Sequence, residues 1–248
     1  MSFQNTPGSS WGGPSGTPVG RQPGFGAQPA PQVSVQTQGA FLTHAFVWMF
    51  TGLLVTAGVA FAVQGSAALL NFTEQYGLLL ILALFALPMV ISLGITRLNA
   101  TLALGLFFVY AAAMGLVMGL IVPAYASESS GGNASVVEAF LSSSIMFGGA
   151  ALYGATTKRD LTSMGGFLFM GLLGLIVAMV VNFFLASSAV DFVISIIGVV
   201  LFTALTAWDV QRISVGQLVA WTGSVEKAAV FGALRLYLDF VNLFLFML

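Results

Sequence analysis

The sequence predicts an all-α polytopic membrane protein with seven transmembrane helices. Three observations carry this. Of 248 residues, 58% are apolar and only 6% are charged, whereas ordinary globular domains carry about 25% charged residues. The apolar residues gather in runs of roughly 20, the length a helix needs to cross a hydrocarbon core about 30 Å thick. Runs such as GLLGLIVAMVVNFFL (171–185) do not alternate, so they lack the period of two that a membrane barrel requires.

The remaining composition excludes several chemistries. Seven Lys and Arg residues are too few to neutralise a phosphate track, so no nucleic-acid partner is expected. Zero cysteines exclude disulfides, thiolate catalysis and Cys-based zinc sites. A single histidine leaves little for metals that prefer nitrogen ligands. No resident cofactor is expected.

Residues 1–40 hold six of the eight prolines, eight glycines and no apolar run. They read as a disordered, partly extended Pro/Gly/Gln-rich tail, with no basic n-region or apolar h-region of a signal peptide. The seven-helix domain is expected over 41–248. The first span, 41–63, opens with His44 at the interface. The second, 77–96, contains Pro88, which frees a carbonyl and can kink the helix. The third, 100–123, carries GLVMG from Gly115 to Gly119, a small-xxx-small pattern for close helix packing. The fourth, 136–155, carries Glu138 and Ser142 at i, i+4, beside Ser143 and Ser144, a polar face that suits either an outer mouth or helix packing. The fifth, 163–186, buries Asn182, suited to interhelical hydrogen bonding. The sixth, 190–210, ends in LTAWDVQRI, and the seventh, 229–248, contains LRLYLDFVNLF.

Lys and Arg set the orientation. With the N-terminus cytoplasmic, the inner segments hold Arg21, Arg97, Lys158, Arg159, Arg212 and Lys227, and the outer ones hold Glu74, Glu128, Glu138 and Asp191 but no Lys or Arg. Seven spans then place the C-terminus outside, whereas a re-entrant last segment would return it inside. Lys158, Arg159 and Asp160 read as a solvated inner loop.

Three charges ask for more. Arg97 ends the second span, Asp209 ends the sixth, and Asp239 lies about 15 Å into the seventh. An ionised residue at a helix centre costs about 2.5–3.5 kcal/mol, so Asp239 must face the bundle interior and needs a partner. Arg235, Asp239 and Asn242 fall at i, i+4 and i+7, on one stripe. An Arg235–Asp239 pair within the helix is one reading, and it leaves Asn242 without a role. The other brings Asp209 to Asp239, provided span six reaches deeper than its hydropathy suggests. Two carboxylates in a low-dielectric site cannot both ionise comfortably, so they share a proton, bind a cation, or are split by an arginine such as Arg97.

LRLYLDFVNLFLFML resembles the last span of the transmembrane Bax inhibitor motif, or Bax inhibitor-1, family. YGATTKRDLT is similar to that family's loop between spans four and five, LTAWDVQRI to the end of its span six, and YAAAMGLVMGL to its span three. The likeness covers roughly residues 41–248. It implies a seven-helix bundle with the last helix central, in bacterial members a pH-sensitive calcium leak across the plasma membrane, and in eukaryotic ones control of calcium stores and cell death. It implies further that Asp209 and Asp239 form the pH sensor and a weak, transient calcium site, with Arg97 as a latch. Arg235, Asn242 and Glu138 stand as modulators. The sequence departs from the pattern at Arg235, where a small polar residue is usual, and at Trp208, where Tyr is. The family's short polar tail is expected after Leu248. Two other readings compete. One is a modulator of a membrane-protein partner, such as a protease or a stress or cell-death regulator, without ion flux. The other is an intramembrane aspartyl protease, against which Leu236, Tyr237 and Leu238 stand where such proteases carry a glycine-framed GxGD. An enzyme is therefore not expected.

Overall fold

The computed structural model describes residues 35–128 and 132–248. The described residues are helical and contain no strand. In chain order the helices are α1 Val35–Gln64, α2 Ala67–Gln75, α3 Gly77–Gly94, α4 Ala100–Glu128, α5 Asn133–Thr156, α6 Gly165–Leu185, α7 Ser188–Ser214, α8 Gln217–Thr222 and α9 Val225–Met247, with a single 3-10 turn at Thr162–Met164 before α6. Seven of them, all but α2 and α8, are long and apolar enough to cross a membrane. The tail expected over 1–40 lies outside the described residues as far as 34, and α1 already begins at Val35.

The spans differ from expectation mainly at their ends. Helix α4 runs through Pro123 to Glu128, and α3 runs through Pro88. Helix α7 continues four residues past the expected end, to Ser214. Helix α9 starts earlier, at Val225, where the Ser224 hydroxyl accepts from the Lys227 amide. Hydropathy falls before the helix does, because polar side chains at the interface need not end a helix. Helices α2 and α8 are too short to show a periodic signal. The Ser66 hydroxyl caps α2 by accepting from the Leu69 amide, a favoured N-cap arrangement. Helix α8 is bracketed by Gly216 and Gly223, both left-handed at φ 75° and 72°, a conformation in which glycine carries no Cβ penalty.

Helix α9 is the centre of the bundle. Its most apolar window is 61% buried, against 39% for α4, the next highest. It packs against α1, α7, α5, α8 and α4, and lightly against α3. Its first half, AAVFGA (228–233), is made of small residues around Val230 and Phe231. A Cβ on Gly232 would lie 3.2 Å from Ile213 and 3.3 Å from Ala45, so α7 and α1 approach α9 closely here. Higher up, Tyr237 meets Phe107 and Tyr110 edge-on, at centroid distances of 5.5 and 5.7 Å. Its hydroxyl lies 2.6 Å from that of Thr56, which donates to the Ala111 carbonyl at 2.9 Å. One buried threonine thus ties α1, α4 and α9 together. The expected GLVMG packing is present: Cβ atoms on Gly115 and Gly119 would fall 2.7 Å from the Thr56 carbonyl oxygen and 2.6 Å from Val63.

The tightest approach joins α5 to α7. A Cβ on Gly154 would sit 2.2 Å from the Ala207 carbonyl oxygen, a backbone atom that cannot swing aside. Gly154→Ala is expected to cost about 1–3 kcal/mol, as overpacking does, and to lower the unfolding midpoint in detergent. Gly148→Ala, with no atom within 4 Å of the new methyl, is the control and should leave the midpoint near that of the unmodified protein.

Candidate functional site

Helices α7 and α9 run antiparallel and pack against each other, and the two aspartates lie in their seam. Asp209 is 3% exposed and Asp239 5%. Because α7 extends to Ser214, Asp209 lies about 7 Å inside the helix end rather than at it. Asp239 is about 21 Å from the start of α9 and Arg235 about 15 Å.

Gly232 of α9 packs on Ile213 of α7, so Arg235, one turn further along, lies level with Asp209. Its Nη1 donates to Asp209 Oδ1 at 3.0 Å and to Oδ2 at 3.4 Å. Helical side chains lean toward the helix N-terminus, so Arg235 reaches down toward Asp209 and away from Asp239. Flat rings surround the guanidinium. Its Cζ lies 4.9 Å from the centroid of Phe231 and 5.9 Å from that of Trp208. Arg212 covers Trp208 at 4.4 Å, while its Nε donates to Gln217 Oε1 at 3.3 Å. Cation–π contacts of this kind gain strength when desolvated.

Asp239 has no such partner. Among the described residues its Oδ2 is buried without a hydrogen bond, as are Arg235 Nε and Trp208 Nε1. The charged groups that act on Asp239 are Asp209 and Arg235; those that act on Asp209 are Arg235 and Arg212. The two carboxylates therefore interact across two helices, one paired and the other not.

The family profile described as "Inhibitor of apoptosis-promoting Bax1" matches residues 38–248. The chain belongs to the Bax inhibitor-1 family. It is 40% identical over 224 residues to the inner membrane protein YbhL of Escherichia coli K12, covering 88% of this chain and 92% of that one. It is 42% identical over 209 residues to a protein of Deinococcus radiodurans, covering 84% and 88%, and 39% identical over 216 residues to the YrjE protein of Lactococcus lactis, again covering 84% and 88%. With its seven spanning helices it is an integral membrane protein.

Arg97, the residue expected as the latch of this Bax inhibitor-1 family member, makes no ion pair with either aspartate among the described residues. Arg97 lies exposed beyond the end of α3, and the ion pair recorded among the described residues is that of Arg235 with Asp209. Helix α3 packs on α4, touches α9 lightly and does not pack on α7. Asn242, third on the stripe, donates from Nδ2 to the Leu238 carbonyl on its own helix at 2.8 Å. It also lines a cavity of about 360 Å³ with Ile121, Tyr125, Met179, Leu245 and Phe246. Glu138 and Ser142 are exposed, and the buried Ser143 donates to Ala139 at 2.6 Å. The polar face of α5 therefore points outward or folds onto its own backbone. Asn182 bridges helices as expected, donating to Asp191 on α7 and to the Ser187 carbonyl.

Sequence reasoning passed over Gln211. Buried beside Asp209, it accepts from the Leu161 amide and donates to the Arg159 carbonyl, both at 2.7 Å. It pins the α5–α6 loop to α7 directly below the ion pair. A neutral amide between Asp209 and Arg212 in an apolar helix was the available signal. That loop carries Asp160, whose carboxyl is held below the ordinary carboxylate range by the Thr162 hydroxyl and amide. A lowered value keeps Asp160 ionised throughout mildly acidic pH. Asp160→Asn should therefore leave any pH response between about 5 and 7 in place, as measured by ion flux or carboxyl infrared titration.

Proposed function

We propose that this protein is a proton-gated calcium leak, with Asp209 and Asp239 as its sensor and as the oxygens that calcium meets in passage. The reading is carried by one observation: a carboxylate in an ion pair and an unpartnered one share a buried seam of the central helix. Adding or removing a proton there changes which charges need partners. A bistable contact biased by protons is a general switch design. With Arg235 on Asp209, α7 and α9 are held together and the passage is shut.

Calcium prefers six to eight oxygen ligands. Two aspartates offer about four at most, and water supplies the rest. Such a site binds weakly, which suits passage better than storage. Among the described residues no three Asp, Glu, His or Cys side chains gather as a metal centre. The distribution of Lys and Arg supports a cytoplasmic N-terminus, and the inner membrane location named for the E. coli relative supports a bacterial plasma membrane.

Purified full-length protein in liposomes should pass calcium with a pH-dependent rate. Asp209→Asn and Asp239→Asn should each remove most of that dependence. If both variants keep the unmodified pH profile, the sensor assignment is wrong. Absence of flux at every pH, with a stable membrane-protein partner recovered, would replace the leak by a modulator of that partner.

A further inference from the structure

Arg235 does more than neutralise a buried aspartate. It occupies Asp209 through one nitrogen, Nη1, shared between the two carboxylate oxygens. The strong form of this contact is the two-nitrogen fork, and Arg235 does not make it, because its buried Nε has no partner. The grip is end-on. The Arg235 side chain is 32% exposed and that of Asp209 4%, so the cation is the more accessible member of the pair. One turn further along the stripe, the buried Asp239 Oδ2 also has no partner. Asp239 interacts electrostatically with both Asp209 and Arg235.

We infer that Arg235 is a tethered occupant of a divalent-cation site formed by Asp209 and Asp239, so that a metal ion enters only by displacing its guanidinium. The inference rests on the proposed role of the aspartate pair and adds what keeps the pair empty of metal at rest. Charge decides it. Arg235 and Arg212 act on Asp209, and Arg235 and Asp209 act on Asp239, so the four formal charges cancel. A neutral site offers no net attraction to a divalent ion. Removing Arg235 leaves one net negative charge and frees both Asp209 oxygens beside the unpartnered Asp239 Oδ2. Arg212 does not take its place, since it is already stacked on Trp208 and donating to Gln217. Arg97 has no part in this occupancy, being exposed and beyond α3.

The test is equilibrium binding of terbium to the full chain in nanodiscs, read by luminescence sensitised through tryptophan. Trp208 adjoins Asp209 and lies against Arg235, so metal at the pair is within range of it. Arg235→Gln should tighten terbium binding at least tenfold, and calcium should compete. Arg235→Lys, which keeps a cation on the same helix, should stay near the unmodified affinity, and Arg97→Gln should not change it. Adding Asp209→Asn to Arg235→Gln should abolish the gain. Thermal melting identifies any variant that has not folded, and the Lys variant then still separates charge from shape. Equal affinity for Arg235→Gln and the unmodified protein overturns the inference, as does an equal gain from Arg97→Gln. Either result leaves the pH profile of calcium flux untouched as a separate measurement, so the leak can survive the loss of the tethered cation.

Discussion

The structure turns on where charge can be placed in the last helix. A charged side chain in the hydrocarbon core costs about 2.5–3.5 kcal/mol on insertion scales, and α9 carries both Arg235 and Asp239. A helix so loaded cannot lie at the lipid boundary. Placing it in the middle lets α7 supply Asp209 and lets Phe231 and Trp208 cover the guanidinium. An ion pair within α9 would have been the shortest solution. Side-chain direction argues against it, because an arginine leans toward the helix N-terminus and Asp239 lies four residues the other way. The cation therefore bonds across helices, and the bond that relieves its burial also fastens α7 to α9.

Centrality also needs room, which small residues provide. Ala228, Ala229, Gly232 and Ala233 are all buried, so α1 and α7 come close to the first half of α9. In the second half the neighbours are held by aromatic edges and by the Thr56–Tyr237 hydroxyl contact. Breaking one member of a buried polar contact costs more than the contact contributes, because the other member is left unsatisfied. Thr56 and Tyr237 thus specify the register of α1 against α9. The two ends of α9 differ accordingly: the first half is defined by close backbone approach, the second by side chains. Arg235 lies where one gives way to the other.

Hydropathy made the number of spans, their order and the acidic character of the seam readable before any coordinates, since the run lengths and the expense of Asp239 are properties of the chain. What it could not convey was azimuth and helix ends. Asp209 looked too shallow to meet Asp239 because polar residues after it, Gln211 and Arg212, resemble a loop, yet Gln211 spends its amide on the α5–α6 loop and lets α7 continue to Ser214. Arg97 and Arg235 stood at plausible levels for pairing with Asp209. Level alone does not choose between them; the ion pair is made by Arg235, whose helix packs on α7, as α3 does not, and that packing is set across the whole bundle. Helices α2 and α8 escaped because each is too short for a periodic signal and is defined by a cap or by flanking glycines.

A seam holding two acids and two guanidiniums is balanced in a particular way. Buried salt bridges often add little net stability, since desolvation consumes most of the attraction, so the arrangement is better understood as a constraint on what else can enter. The two carboxylates differ in this: Asp209 is held by Arg235, whereas the buried Asp239 Oδ2 has no partner to give up. Arg212 sits in the last turn of α7, where the helix dipole favours a cation, and its ring contact with Trp208 keeps it there. Arg235 is mid-helix, without that support, and grips by one nitrogen. Of the two guanidiniums it is the less firmly held. The cation of the pair is thus also the member that the helix around it supports least.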